Sequence, residues 1–483
     1  MRVLSMINLQ VALNKYFGYS HFRPGQEEIL TALLDQRNTL AILPTGGGKS
    51  LLYQMTGHLR TGLVVIVSPL LSLMQDQVSS LNYMGEKRVV ALNSTLSRAE
   101  RQQALQQLNT FKFLFISPEM LSDEQVQSRL KQIDLNLLVI DEAHTMLSWG
   151  PDFRPEYLRL PEIYQGLNRP QLLLLTATAT PKMGQQMLNL FDINNSDTFV
   201  YETSIDRPNI FLNTEQLANE QEKESRLIQL VHGLQGPGIV YVSSRKLANS
   251  LARSLTDATG LTAVAYHAGL DYYTRYRIQR QFMLDQIDVI IATSAFGMGL
   301  NKSDVRYVIH YQLSSDLTNY LQEFGRAGRD SKTAVAILLY APGDELLQSY
   351  LIDLTLPEPS TVDLVAKERD QVSGINENQV NLINYYLEQG QTPDQLKIQF
   401  DQRRKQRLRA LSQLLTYVKL EQGLRKFILT TFQDENPFDS KYEAANQPLD
   451  LQKFARKNSI VKAKKDNKIP SWSDKMQQLF NIK

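Results

Sequence analysis

Cysteine is absent from all 483 residues. That excludes disulfides, thiolate metal sites and cysteine nucleophiles, and it suits a reducing compartment. Long apolar runs are missing too: none approaches the roughly 18 residues needed to span a bilayer, so no membrane partner is expected. Residues Met1 to Tyr16 lack the basic-then-apolar pattern of a secretory leader. Nor is there an excess charge of one sign. The 52 Lys and Arg face 50 Asp and Glu, a net of +2, so whole-molecule electrostatics announces no polyanion partner. The distribution says more. Between Lys441 and Lys483 ten Lys and Arg meet four Asp and Glu, a local +6 that leaves the rest of the chain near −4. A basic tail on a balanced body reads as a polyanion contact or as a solvated, lysine-rich helix. The length predicts roughly two to four domains.

The stretch Thr39 to Ser50 carries the strongest local signal. Leu40 to Leu43 reads as a buried strand. Pro44, Thr45, Gly46, Gly47 and Gly48 break it, and Lys49, Ser50, Leu51, Leu52 and Met55 open a helical pattern. Strand, glycine loop and helix start form the geometry that binds phosphate. Glycines let backbone N–H groups converge on the anion without a Cβ in the way, and the helix start adds partial positive charge. In that setting Lys49 reaches the β- and γ-phosphates of ATP, and the Ser50 hydroxyl ligates Mg²⁺. The spacing G-x-x-x-x-G-K-[ST] would need glycine at position 43, where Leu43 stands. Upstream, a helix from Leu9 to Phe17 is expected to stop at Gly18, and a second to begin near Pro24. Arg23 and Gln26 at its start can stack on and hydrogen-bond a purine.

Apolar runs that end in polar clusters recur after the loop. Run 64–67 ends in Ser68, run 113–116 in Ser117, run 137–140 in Asp141-Glu142-Ala143-His144, and run 172–175 in Thr176-Ala177-Thr178. The pattern predicts a parallel sheet covered on both faces, with ligands gathered at the carboxyl ends of its strands. There Asp141 is assigned to Mg²⁺, and Glu142 to orienting and deprotonating the attacking water. The second half repeats this order with runs 239–242, 262–265, 289–293 and 307–310. It has no phosphate loop. What it offers is Arg326 and Arg329, three apart, suited to stabilising γ-phosphate charge from across a cleft.

The ordered set of motifs resembles the RecQ family of superfamily 2 DNA helicases. It comprises Phe22-Arg23-Pro24-Gly25-Gln26, Ser68-Pro69-Leu70, Asp141-Glu142-Ala143-His144 and Trp149-Gly150-Pro151-Asp152-Phe153-Arg154. Leu175-Thr176-Ala177-Thr178, Tyr266-His267-Ala268-Gly269, Phe296-Gly297-Met298-Gly299 and Gln322 through Asp330 complete it. The resemblance runs from about Leu9 to Tyr340. It implies an ATP-dependent enzyme that moves 3′ to 5′ on single-stranded DNA and unwinds duplex in repair and recombination. Its cofactors would be ATP and Mg²⁺, and its DNA partners single-stranded and forked DNA. Single-stranded-DNA-binding or repair proteins would be further partners. The location would be cytoplasmic, on the nucleoid when DNA is bound. By the same resemblance Arg23 and Gln26 contact adenine, Arg326 and Arg329 are the arginine-finger pair, and His144, Thr176 and Thr178 couple ATP to DNA. Trp149, Phe153 and Arg154 form a loop that senses single-stranded DNA by stacking. Ser68, Ser243, Arg245, His267 and Gly297 line the strand.

The expected fold is α/β: two tandem RecA-like domains with parallel sheets, 1–205 and 206–345, then a helical platform at 346–436 and a basic, flexible tail at 437–483. The platform departs from the family. Leu424 stands where the family has a zinc-binding cysteine, so no zinc is expected. Two amphipathic stretches between Asn378 and Val418 read as extra helices that supply stability in its place. Arg403, Arg404, Lys405, Arg407 and Arg409 would make that hairpin either a phosphate-binding arm or a solvated face. The tail looks too short for the family's winged helix, which leaves open a translocase with little unwinding. An RNA helicase and a DNA-binding scaffold with a vestigial motor are further alternatives.

Overall fold

The computed structural model describes residues 8–44, 46–69, 71–93, 96–147, 155–194, 197–296, 302–368, 375–434 and 442–451. Its framework is two parallel sheets. The first contains β1 (Asn38–Ile42), β2 (Leu63–Val67), β3 (Val89–Leu92), β4 (Phe113–Ile116), β5 (Leu135–Ile140), β6 (Leu172–Thr176) and β7 (Thr198–Glu202) in the order β3-β4-β2-β5-β6-β1-β7. The second contains β8 (Ile210–Gln216), β9 (Gly238–Tyr241), β10 (Ala263–Tyr266), β11 (Val289–Ala292), β12 (Tyr307–His310), β13 (Ala334–Tyr340) and β14 (Glu443–Ala444) in the order β10-β11-β9-β12-β13-β8-β14. Each is a RecA-like α/β domain.

Successive strand side chains point to opposite faces, and the core divides accordingly. Leu40, Ile42, Val65 and Leu114 enter one cluster of the first domain, while Ala41, Leu43, Val64 and Ile66 enter the other. In the second domain Ile239 and Tyr241 lie on one side, Val240 and Val242 on the other. Helices cover both faces, so the central strands are apolar throughout. No helix among the described residues is long and apolar enough to cross a membrane.

The helices Asp344–Thr355, Pro359–Glu368, Glu377–Glu388, Pro393–Val418 and Leu424–Thr431 follow the second sheet. The two amphipathic stretches are therefore helices, the longer one opened by Thr392, whose side chain and that of Gln395 form a capping box. The helical region shares its core with the second domain: Ile383, Phe400, Leu414 and Leu424 belong to the cluster that includes Ile239 and Tyr320. Leu424 is fully buried within it. Two basic residues of the long helix are spent on structure. Arg404 donates to the Asp353 carboxylate at 3.1 Å and to the Leu356 carbonyl at 3.1 Å. Arg407 donates to Thr355 Oγ1 at 2.7 Å, and Lys405 pairs with Asp401 at 2.7 Å. Neither Arg404 nor Arg407 is a free phosphate-binding arm.

Within the stretch expected to form the tail, Glu443–Ala444 is β14 and pairs with β8, and Asn446, Gln447 and Leu449 bond to the same strand. β8 buries Asn213, Thr214 and Glu215, and buried polar groups need partners. Asn213 Nδ2 donates to the carbonyls of Ala444 and Gln447 at 2.9 and 3.0 Å. The backbone N–H of Asn446 donates to Thr214 Oγ1 at 2.9 Å, and that of Leu449 to the Glu215 carboxylate at 2.9 Å.

Arg425, buried at 3% exposure, donates to the Asp206 carboxylate and to the carbonyls of Arg207 and Ile210 at 3.2 and 2.6 Å. Replacing it with methionine strands a mostly buried carboxylate. Arg425→Met is expected to destabilise the second domain by about 3–5 kcal/mol, read as a lowered urea midpoint.

Candidate nucleotide site between the two sheets

β1 leads through the glycine loop into the helix Lys49–Leu59. Gly46 and Gly48 have φ of 87° and 78°, the left-handed region in which a side chain is strained. A Cβ on Gly48 would stand 2.4 Å from Gln26 Nε2. That amide donates to the carbonyls of Gly47 and Gly48 at 3.2 Å each, and its oxygen accepts from the Arg23 N–H at 2.9 Å. The Arg23 guanidinium donates to the Gly46 carbonyl. Both purine-contact candidates thus brace the loop. Thr45 lies outside the described residues.

β5 delivers the carboxylates. Glu142 has φ 50°, a sharp turn that lets two adjacent acids take different positions. Its N–H donates to Asp141 Oδ1 at 3.0 Å, and its Oε1 lies 3.7 Å from Lys49 Nζ. Burial, then the charge of Glu142, push Asp141 up to about 6 against the pull of Lys49. Burial acts the same way on Glu142, but Lys49, His144, Arg326 and Arg329 together outweigh it and hold that carboxyl below its usual range. Glu142 Oε2 is buried with no hydrogen-bond partner among the described residues, His144 Nδ1 lying 3.5 Å away. The buried Tyr53 senses both Ser50 and Asp141, its phenol pushed up by burial and by the Asp141 charge. A hydroxyl and a carboxylate are the hard oxygen donors that Mg²⁺ takes.

The opposite wall comes from the second domain. Arg326 is buried, and the Arg329 side chain lies against the loop, 3.2 Å from where a Cβ on Gly46 would sit. One turn earlier, Gln322 crosses the cleft. Its Nε2 donates to Thr178 Oγ1 at 2.6 Å and to His144 Nε2 at 3.0 Å. His144 Nδ1 in turn faces Thr176 Oγ1 at 2.9 Å. Burial first, and Lys49 against the opposing charge of Glu142, keep His144 below the ordinary imidazole range.

The strand-lining candidates sit elsewhere on the same edge. Ser68, buried and with no partner for its Oγ among the described residues, follows β2. Ser243 follows β9 and receives a 3.2 Å bond from Gln348. His267 follows β10 and contacts Asn249 at 3.2 Å, and Arg245 Nη1 lies 3.1 Å from where a Cβ on Gly269 would sit. Trp149, Phe153, Arg154 and Gly297 lie outside the described residues.

Residues 23–186 match the DEAD/DEAH box helicase family, and residues 222–331 match the helicase conserved C-terminal domain. The chain is 40% identical to the probable ATP-dependent DNA helicase RecS of Bacillus subtilis, over 99% of both proteins. It is 38% identical to the ATP-dependent DNA helicase RecQ of Synechocystis, over 71% of this chain and 75% of that one. The chain belongs to the RecQ family. A structure of the Mycobacterium smegmatis helicase Lhr bound to ssDNA and AMP-PNP has a TM-score of 0.57 at 20% identity, covering 71% of this chain and 49% of that one. At that identity the likeness speaks for the fold alone.

Within this RecQ-family chain, Gln322 was legible only as part of the arginine motif, four residues before Arg326 and on the helix that leads into the turn carrying it. Arg207 gave no signal at all. Gly48→Ala is expected to weaken binding of a fluorescent ATP analogue at least about tenfold, because a left-handed alanine costs about 1–3 kcal/mol and also collides with Gln26. Direct titration checks this.

Proposed function

We propose that this RecQ-family chain is an ATP-dependent DNA helicase that moves 3′ to 5′ on single-stranded DNA and unwinds duplex in repair and recombination, in the cytoplasm and on the nucleoid. The observation that carries the reading is the closure of one charged site by two domains: Lys49 and Glu142 on one wall, Arg326 and Arg329 on the other. In this reading Lys49 binds the β- and γ-phosphates, with Arg23 and Gln26 beside the base. Glu142, kept ionised by the surrounding cations, takes the proton of the attacking water. Arg326 and Arg329 balance the charge that grows on the γ-phosphoryl group. Mg²⁺, held by Ser50 and Asp141, supplies further charge neutralisation when bound.

Coupling to DNA follows from where the groups are mounted. Gln322 belongs to the second domain, and His144 and Thr178 to the first. Opening the cleft after hydrolysis breaks those two bonds and carries Ser243, Arg245 and His267 away from Ser68, which advances the strand. Trp149, Phe153 and Arg154 complete the path by stacking and phosphate contact.

The deciding experiment is ATP-driven separation of a duplex with a 3′ overhang, together with ATPase stimulation by single-stranded DNA against RNA. Unwinding from the 3′ overhang and preference for DNA are expected. Stimulation without strand separation would point to a translocase, and preference for RNA would overturn the substrate. Lys49→Ala is expected to abolish hydrolysis. Gln322→Ala is expected to keep ATP affinity within about twofold and to lower the DNA-stimulated kcat at least about tenfold, by the logic of mutant kinetics.

A further inference from the structure

The turn that carries Arg326 and Arg329 follows the helix Leu317–Phe324, whose carbonyls of Leu321, Glu323 and Phe324 accept from the backbone N–H groups of Gly325, Arg326 and Ala327. The buried carbonyls of the turn itself need other partners, and one side chain supplies three of them. Arg207 Nη1 donates to the Gly325 carbonyl at 2.8 Å, and its Nη2 donates to the carbonyls of Ala327 and Gly328 at 3.0 and 2.8 Å. Asn209 adds Nδ2 bonds of 2.8 Å to the Gly328 and Lys332 carbonyls. We infer that Arg207 is a positioning residue for the arginine pair: it fixes the backbone of their turn and acts on ATP only through them. The inference rests on the ATP-hydrolysing role proposed above.

A rigid planar fork with five donors can span three carbonyls at once, which a lysine ammonium on a flexible stem cannot. Both arginines hang from the clasped segment: Arg326 lies between the carbonyls of Gly325 and Ala327, and Arg329 directly follows Gly328. The clasp itself is anchored. Arg207 lies in the 203–209 connection between the two sheets, where Arg425 donates to its carbonyl at 3.2 Å. Asp434 accepts from Ser204 Oγ and the Ile205 N–H at 2.7 and 2.9 Å. The C-terminal helices therefore grip the connection that grips the turn. Burial first, then the charges of Arg326 and Arg207, push Arg329 down. Three guanidinium groups crowd one spot, an arrangement that favours an anion opposite them. Gly328, with φ 55°, admits no side chain: a Cβ would come within 2.4 Å of Asn209 Nδ2 and 2.7 Å of the Lys332 carbonyl.

The test is steady-state ATP hydrolysis with single-stranded DNA, alongside thermal unfolding, on the full chain: wild type, Arg207→Lys, Arg329→Ala and the double variant. Arg207→Lys is expected to lower kcat at least about tenfold with KM for ATP within about twofold, and the double variant to lose clearly less than the product of the two single losses, since only Arg326 is left for the clasp to place. Wild-type kcat in Arg207→Lys, or a double variant that multiplies the two losses, would overturn the inference. Should Arg207→Lys lose its unfolding transition, Gly328→Ala distorts the same turn and replaces it, with the same expectation and the same overturning result. An inactive wild type, or an Arg329→Ala variant at full rate, would instead sink the proposed hydrolytic role.

Discussion

Lys49, Arg326 and Arg329 are held around Glu142 in a space that neither domain could enclose alone. Charges brought that close and away from water interact far more strongly than they would in solvent. They are also costly unless every one is balanced. The loop, the carboxylate turn and the arginine turn each exist to place one of these charges. Glycines at 46 and 48 let the loop pass under Arg329 and beside Gln26. The left-handed Glu142 turns its carboxylate off the strand end. The clasp of Arg207 on three carbonyls steadies the arginine turn.

A second layer holds that geometry in place. The helices after the second sheet add no separate core. They extend the apolar cluster that reaches Tyr320, on the helix that presents Gln322. Tyr417 of the long helix packs its ring on Tyr320 with centroids 5.5 Å apart. Arg425 and Asp434 then tie the inter-domain connection to the same body. The body that carries the arginines is thus the second sheet, the C-terminal helices and residues 442–451 together. Apolar packing of Leu424, Ile428 and Leu429 joins the last of these helices to the same cluster.

Alternation of apolar runs with polar ends made the central strands legible, and they fall where the pattern put them: β2, β4, β5, β6, β9, β11 and β12 within a residue or two. β3 and β7 escaped notice because they lie near or at the sheet edge, where burial alternates and the apolar run is short. β8 escaped for a different reason. Its Asn213, Thr214 and Glu215 read as loop, yet they are buried because residues 444–449, more than two hundred positions away, satisfy them. The basic stretch of the long helix left two readings open, because nothing local shows that the neighbouring helix supplies Asp353, Thr355 and the Leu356 carbonyl to Arg404 and Arg407.

By itself the sequence determined whatever depends on neighbours in the chain: strand periodicity, the glycine loop ahead of Lys49, adjacent acids at a strand end, and the family those motifs spell. Local sterics and the period of burial leave their mark within a few residues, so they can be read without coordinates. Only the tertiary structure decided which distant groups meet. Gln322 on His144, Arg329 on Gly46, Arg207 on the arginine turn and the 442–451 segment on β8 are contacts between residues 118 to 283 positions apart. Nothing in the local pattern encodes such pairings. They are selected because buried charges and buried backbone carbonyls must each find a partner, and the fold alone determines which partner is within reach.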